Sequence, residues 1–109
     1  MNNYKEEHLN LIANSLEEIS QLLLVKSKEY VRNQDPLHNF HIGARKQNKH
    51  PAEVLQGFAL KHDISIDDLI QDVVEGKPIS MAQVKEKIHD RIVYNLLLLS
   101  IFNRDAEHI

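Results

Sequence analysis

The feature that most constrains this chain is a long stretch without helix breakers near its start. From Glu6 to Tyr30 there is no glycine or proline, and apolar residues recur three or four positions apart. An α-helix has about 3.6 residues per turn, so this spacing gathers the apolar side chains on one face. The pattern predicts a long amphipathic helix over residues 6–30. Its apolar positions are Leu9, Ile12, Ala13, Leu16, Ile19 and Leu23.

Two shorter helices are predicted in the middle of the chain. Pro51 suits the first turn of a helix, because its missing N–H would be unpaired there in any case, and this predicts a helix over residues 51–62. Ser65 is followed three residues later by the carboxylate of Asp68, which has the form of a capping box. We therefore expect a third helix over residues 65–75.

The last predicted helix covers residues 81–103, with Ser80 as its N-cap. Residues 31–50, between the first two helices, are polar and lose the helical periodicity. They are expected to form a long loop, with a short turn of helix around residues 40–46 as an alternative. Long loops in small domains often carry function.

These elements predict an all-α fold, because strand-like alternation and internal repeats are both missing from the sequence. The 109 residues suit one domain, 1–109, of four helices, in which the long first and last helices pack roughly antiparallel. The run Leu96–Leu99 makes the last helix apolar nearly all round. One intramolecular face would not need that, so a homo-oligomer is expected.

Composition excludes several classes of function. The formal net charge of -3 and the pI near 6.1 argue against a duplex nucleic-acid binder. The absence of cysteine excludes disulfides, zinc–thiolate sites and thiol catalysis, so a metal would need oxygen or imidazole ligands. The polar start lacks the apolar core of a secretory signal, and the run 92–102 is about half the length that crosses a bilayer. A cytoplasmic protein without a membrane partner is expected.

A candidate metal site lies on the last helix. Glu86 and Asp90 are four residues apart, so their carboxylates project from one face, and Tyr94 follows one turn later as a candidate nucleotide contact. Magnesium takes oxygen ligands, commonly one or two carboxylates with water and substrate phosphate. Glu18 or Glu29 of the first helix could add a further ligand or a catalytic base. The alternative is that all these acids are solvated surface groups.

Candidate nucleotide contacts cluster where the first helix meets the long loop. Lys26 would neutralise phosphate, Asn39 would bind a base or sugar edge, and Tyr30 or Phe40 would stack on a base. The alternative is a solvated helix end, with Phe40 as a core residue.

Two further groups of basic or imidazole side chains have more than one interpretation. Lys61 and His62 would contact phosphate, with His62 moving a proton, or would simply complement the negative end of a helix dipole. His38 and His41 form a His-x-x-His pair that suggests a transition metal. No third ligand stands near this pair, which favours solvated histidines.

Taken together, these residues resemble a family of small phage and prophage helical proteins linked to nucleotide modification, distantly similar to MazG-like nucleoside triphosphate pyrophosphatases. The resemblance covers about residues 16–102. It rests on five blocks in order: Lys26-x-x-Glu29-Tyr30, Asp35-x-Leu37-x-Asn39-Phe40, Pro51-x-Glu53, Gly57-x-x-x-Lys61-His62-x-x-Ser65 with Asp68, and Glu86-Lys87-Ile88-x-Asp90-x-x-x-Tyr94.

The resemblance implies an all-α domain that binds Mg²⁺ and a nucleoside triphosphate and cleaves between the α and β phosphates. It implies that Glu86 and Asp90 are metal ligands and that Glu18 or Glu29 is a further ligand or base. It also implies that Lys26, Lys61 and His62 contact phosphate. The nucleoside contacts would be Tyr30, Asn39 and Phe40.

The acidic motifs depart from the pattern of that family. MazG-like enzymes carry Glu-Glu-x-x-Glu and Glu-x-x-Asp, whereas this chain has Glu17-Glu18-x-x-Gln21 and Glu86-x-x-x-Asp90. We expect a Mg²⁺-dependent nucleoside triphosphate pyrophosphohydrolase or a nucleotide-binding relative. The alternative is a non-catalytic phage interaction protein that binds a host or phage protein, a role that the shorter set of acids would permit.

Overall fold

Helices make up most of this chain. The computed structural model describes residues 3–30 and 35–107, apart from the side chains of residues 26, 27, 29, 30, 106 and 107. Across these residues the fold is all-α, as the periodicity predicted, with no β-strand. The four described helices are α1 (Tyr4–Tyr30), α2 (His38–Gln47), α3 (Pro51–Val74) and α4 (Met81–Glu107).

Helix α2 lies where the sequence predicted a loop over residues 31–50. The Asp35 carboxylate accepts a hydrogen bond from the backbone N–H of Leu37 at 2.9 Å and leads the chain into the helix. Phe40 and Ala44, one turn apart, are buried. Asn48 then ends the helix in the left-handed conformation, with φ at 53°. A short polar helix is stabilised by such packing rather than by its own propensity, which explains why periodicity alone predicted a loop.

Helix α3 begins at a capping box that the sequence did not signal. The ring Nδ1 of His50 accepts a hydrogen bond from the backbone N–H of Ala52 at 3.0 Å. In return, the Glu53 carboxylate accepts one from the backbone N–H of His50 at 3.1 Å. Pro51 occupies the first helical position. Histidine therefore takes the place that serine, threonine or aspartate usually fills.

Helix α3 then continues without a break, although the sequence predicted two helices over residues 51–62 and 65–75. The Ser65 hydroxyl donates to the carbonyl oxygen of Lys61 at 3.0 Å, the bond of a serine inside a helix. No glycine or proline interrupts residues 58–74. The serine–aspartate spacing was thus a chance match to a capping box.

The turn between α3 and α4 contains a glycine with positive φ and the N-cap serine that the sequence predicted. Gly76 has a φ of 73°, a conformation that other residues adopt only at a cost. The Ser80 hydroxyl accepts a hydrogen bond from the backbone N–H of Gln83 at 3.3 Å and caps α4. Helix α4 runs on to Glu107, past the predicted end at residue 103.

Helices α3 and α4 are antiparallel. His50 at the start of α3 lies 2.7 Å from Asp105 near the end of α4. Asp63, in the middle of α3, lies 2.7 Å from Arg91 in the first half of α4. The two helices therefore form a helical hairpin along their full length.

Helix α1 runs in the same direction as α4, so the expectation that the first and last helices are antiparallel is corrected. Glu18 lies 3.4 Å from His89. Earlier on α1, Leu11 and Ile12 line a groove with Met81 and Val84 from the start of α4, so the contacts advance together along the two helices. The reason is the continuous α3, which carries the chain back over the whole length before α4 begins.

The core lies towards the end of the molecule that carries α2. Its largest fully buried side chains are Phe40, Leu55, Val93 and Ile101, which come from α2, α3 and α4. The molecule measures 54 × 28 × 25 Å, and its radius of gyration is 16.8 Å. A compact chain of this length would have a radius near 13 Å. The three long helices therefore form an elongated layer, and α2 covers only part of it.

Among the described residues, no helix has both the length and the apolar character that are needed to span a membrane.

Candidate functional site

Three of the side chains singled out by the sequence meet between α3 and α4. His62 of α3 places its Nδ1 atom 3.9 Å from a carboxylate oxygen of Asp90. The His62 ring also lies against the Tyr94 ring, with 5.4 Å between centroids and 39° between planes. Asp90 and Tyr94 are one turn apart on α4 and so face α3 together. We call His62, Asp90 and Tyr94 the imidazole–carboxylate cluster.

The cluster is largely shielded from water. The side chains of His62 and Asp90 are 16% and 13% exposed. The Nδ1 atom of His62 is buried and has no hydrogen-bond partner among the described residues. At 3.9 Å, the carboxylate is close enough to attract a charged imidazole but too far for a hydrogen bond. Buried polar atoms without a partner are uncommon in folded proteins, because leaving one unsatisfied costs free energy.

Glu18 reaches the neighbourhood of the cluster from α1. Its carboxylate lies 3.4 Å from Nδ1 of His89, the residue before Asp90 on α4. His89 is buried, at 5% exposure, while Glu18 stays half exposed. Sequence reasoning missed His89, because it lies among charged residues, between Ile88 and Asp90, and nothing in that stretch signals burial. The contact holds α1 against α4 beside the cluster.

A second link between α3 and α4 lies next to the cluster. Arg91 donates to the Asp63 carboxylate at 2.7 Å and to the side-chain oxygen of Asn95 at 2.8 Å. Arg91 and Asn95 are one turn apart, so a single helix face presents both. This network holds α3 in register with α4 where His62 meets Asp90. Sequence reasoning did not identify it either.

Glu86 and Lys61 border the cluster from exposed positions. Glu86 stands one turn before Asp90 on α4, and residues four apart differ by about 40° around the helix axis. Lys61 precedes His62 on α3 and is also exposed. Both side chains are therefore accessible to solvent on the two helices that form the cluster.

The aromatic and amide side chains expected to hold a nucleoside lie in different surroundings from one another. Phe40 is fully buried, and its ring packs on Phe58 with centroids 5.4 Å apart. It would have to leave the core before it could stack on a base. Tyr94 is also buried, at 6% exposure, whereas Asn39 is exposed. Roles were also expected for Lys26, Glu29 and Tyr30, but the side chains of these residues lie outside the part of the chain that the structure describes.

Metal-binding groups are sparse in the described part of the chain. No cluster of three or more histidine, aspartate or glutamate side chains there is arranged to hold a metal ion. Glu86 and Asp90 are two carboxylates one helical turn apart, and Mg²⁺ commonly takes one or two protein carboxylates beside water and phosphate. Any Mg²⁺ bound here would therefore complete its ligands with water and substrate.

A separate polar cluster ties the end of α4 to α2. Arg104 donates two hydrogen bonds to the Asp35 carboxylate, at 3.1 and 2.8 Å, and these hold the pKa of Asp35 below its ordinary value. Burial lowers the pKa of His41, and the nearby Arg104 lowers it further. These groups fix the start of α2, which in turn closes the core.

Comparison with known proteins adds no family to this description: no family model matches the chain, and no curated protein or solved structure is significantly similar to it. The function must therefore be inferred from the residues and their geometry.

Proposed function

We propose that this chain is a Mg²⁺-dependent nucleoside triphosphate pyrophosphohydrolase, or a nucleotide-binding relative, of the MazG-like phage and prophage type. The observation that supports this most is the imidazole–carboxylate cluster. His62, Asp90 and Tyr94 come from two helices, and a buried imidazole nitrogen lacks a partner among the described groups. Histidine and carboxylate pairs of this kind move protons and stabilise the charge that develops in phosphate chemistry.

Magnesium would be held by Glu86 and Asp90, with Glu18 or Glu29 as a further ligand or base. The donor set fits the preference of Mg²⁺ for carboxylate oxygen, and Asp90 is partly shielded while Glu86 is exposed. When bound, Mg²⁺ would supply a Lewis acid that neutralises the phosphate oxygens.

The side chains of the cluster would divide the remaining work. Water attacks the α-phosphorus, the bond to the oxygen bridging α and β breaks, and a nucleoside monophosphate and pyrophosphate leave. His62 would take the proton of the water on Nε2, the ring nitrogen away from Asp90. The Asp90 carboxylate, 3.9 Å from Nδ1, would stabilise the resulting imidazolium. Lys61 would hold the phosphates from its exposed position.

Titration calorimetry with a panel of nucleoside triphosphates and Mg²⁺, with pyrophosphate release assayed on the same samples, tests this proposal. Asp90→Asn and His62→Gln remove a charge and an imidazole from the cluster with little change in size. Asp67→Asn is the matched control, because Asp67 is an exposed carboxylate on α3. We expect Mg²⁺-dependent binding and turnover in the wild type and the control, and a loss of turnover of at least about a hundredfold in both cluster variants.

Other outcomes separate the two parts of the proposal. Binding that depends on Asp90 without pyrophosphate release would identify a nucleotide-binding relative. No binding by folded wild-type protein would contradict the nucleotide function altogether.

A non-catalytic interaction protein, binding a host or phage protein, is the second candidate function. It is favoured by the large apolar side chains that remain exposed on α3, among them Leu60 and Ile64 at 55% and 52%. A captured partner that is lost in Ile64→Glu and retained in Asp90→Asn would support it. Retention of that partner in both variants would count against it.

A further inference from the structure

An open, positively charged cleft lies where α2 meets the end of α4 and the start of α3. Its volume is about 410 Å³, which is within the range of small-ligand sites. The cations Arg45, Lys49 and Arg104 line it, together with His41 and the carboxylate of Asp35. We call this region the basic cleft. It concentrates positive charge in a chain whose formal net charge is -3.

The end of α2 places the two exposed cations of the cleft. His41 and Arg45 are four residues apart, so both project from one face of α2. Beyond Arg45, Asn48 takes the left-handed conformation, and the backbone N–H of Lys49 donates to the carbonyl oxygen of Ala44 at 3.0 Å. This bond turns the chain back over the end of α2 and brings Lys49 to the same cleft.

The charges of Arg45 and Lys49 are not paired within the described part of the chain. Neither side chain forms an ion pair with a residue that the structure describes. Arg104, by contrast, donates two hydrogen bonds to Asp35. The one carboxylate that lines the cleft is therefore already engaged and is a poor ligand for a divalent metal. The cleft suits an anion that arrives without one.

His41 adds a buried polar atom that no described group satisfies. Its Nε2 atom is buried and has no hydrogen-bond partner among the described residues. Burial lowers the pKa of His41, and the charges of Arg104 and Arg45 lower it further, against the opposing effects of Asp35 and Asp105. An anion in the cleft would offset the repulsion from these cations and so favour the charged imidazole.

We propose that the basic cleft is a binding site for a phosphate group that carries no divalent metal, held by Arg45 and Lys49 beside the pair of Asp35 and Arg104. Lysine and arginine bind phosphate oxygens through their charge and their N–H donors, and arginine can do so with two parallel hydrogen bonds. Pro51, the first residue of α3, also lines the cleft, so the positive end of that helix dipole borders it.

The basic cleft is separate from the imidazole–carboxylate cluster. Arg104 lies about 21 Å further along α4 than Asp90. A phosphate compound in the cleft leaves the cluster accessible, so the two sites can be removed independently. Asp90→Asn should bind an oxyanion at the cleft as the wild type does, whatever the outcome for nucleotide hydrolysis.

NMR titration of the full ¹⁵N-labelled chain with sulfate, at an ionic strength held constant with sodium chloride, tests the cleft. Sulfate is the first probe because it stays a dianion, whereas a phosphate group takes up a proton at about pH 6. We expect saturable changes in the amide signals of His41, Arg45 and Lys49. Arg45→Gln and Lys49→Gln should each weaken binding at least about tenfold, because each removes a charged hydrogen-bond donor.

Lys46→Gln is the matched control, since Lys46 is an exposed lysine beside Arg45 on α2 that does not line the cleft. It should bind sulfate as the wild type does. Equal weakening in this control, or signal changes that grow with sulfate without saturating, would show a general attraction of anions to the surface and would overturn the proposal.

The pKa of His41 provides a readout that a general surface attraction would not move. Saturating sulfate should raise it, and sulfate should in turn bind more tightly as the pH falls through that pKa. The rise should shrink in Arg45→Gln and persist in Lys46→Gln. A pKa of His41 that is the same with and without saturating sulfate would contradict an anion in the cleft.

Inorganic phosphate and a nucleoside monophosphate, compared on the same samples, identify the source of the phosphate group. Equal dissociation constants would support a site for the free oxyanion. Tighter binding of the monophosphate that is lost in Arg45→Gln would support a site for the phosphate of a nucleotide. Binding of neither compound by folded wild-type protein would overturn the proposal.

Discussion

At the scale of single residues, the pair of Asp35 and Arg104 gives the clearest pH dependence. Its hydrogen bonds lower the pKa of Asp35 from 3.8, so the pair stabilises the fold fully above that pH and less as the pH falls through the lowered value. Asp35→Asn should therefore lower the free energy of unfolding at pH 7 by about 1–3 kcal/mol, and less at pH values below 3.8.

Urea denaturation of the wild type and Asp35→Asn at neutral and acidic pH measures this difference. Glu75→Gln is the control, because Glu75 pairs with Lys77 on the surface, where ion pairs contribute little. A difference for Asp35→Asn that stays constant from neutral to strongly acidic pH would rule out the ion pair as its source.

The two helical glycines, Gly43 and Gly57, should respond in opposite ways to substitution by alanine. A Cβ atom at Gly43 would come within 2.9 Å of Cγ1 of Val54, a buried and stiff side chain, whereas a Cβ at Gly57 would meet nothing within 4 Å. Gly43→Ala should therefore destabilise the protein by about 1–2 kcal/mol, and Gly57→Ala should stabilise it by about 0.5–1 kcal/mol. Thermal unfolding of both variants compares them directly, and the same sign in both would mean that α2 does not pack closely on α3.

Sequence reasoning predicted which side chains share a helix face better than how deeply they are buried. The four-residue spacing correctly gave Asp90 and Tyr94 a common face, since that follows from helix geometry alone. It could not show that Asp90 is shielded while Glu86 is exposed, because depth depends on where α3 crosses. His89 was missed for the same reason: only the approach of Glu18 on α1 gives it a partner.

At the scale of elements, substitution of Ser65 and of Ser80 by alanine tests whether α3 is one continuous helix. Ser80 caps α4 through the backbone N–H of Gln83, whereas Ser65 bonds to a carbonyl inside α3. Ser80→Ala should cost about 1 kcal/mol, and Ser65→Ala should be neutral or stabilising by a few tenths, because alanine is the better residue inside a helix.

Urea denaturation of the two alanine variants decides the question. A loss for Ser65→Ala as large as that for Ser80→Ala would show that a helix starts at residue 65 and that α3 is divided.

The elements that the sequence misplaced are those decided by tertiary contacts. Helix α2 has a polar sequence, and it is the burial of Phe40 and Ala44 that makes it helical. The capping box at His50 uses a residue type that is rarely a cap, so its signal was not recognised. By contrast, α1 and α4 carry enough periodicity to be predicted without any knowledge of their neighbours.

At the scale of the whole molecule, the two sides of α4 have different surroundings. One side carries the imidazole–carboxylate cluster, and the other carries the partly exposed apolar side chains of Ile88 and Ile92. Substitutions on opposite sides of one helix without shared partners should act independently. Ile88→Glu should therefore keep the nucleotide dissociation constant within about threefold of the wild type, as isothermal titration calorimetry would measure. Loss of nucleotide binding in folded Ile88→Glu would show instead that the two sides of α4 are coupled.

The central claim, a metal–nucleotide site at the imidazole–carboxylate cluster, is tested most directly by adding Mn²⁺ and a nucleoside triphosphate to ¹⁵N-labelled protein. Paramagnetic Mn²⁺ replaces Mg²⁺ at carboxylate sites and broadens the NMR signals of the groups nearest to it. We predict that the amide signals of His62, Glu86 and Asp90 broaden first, while that of Asp105, roughly 22 Å further along α4 than Asp90, broadens last. Broadening spread evenly over exposed acids such as Glu6 and Asp67, or none at all, would contradict the claim.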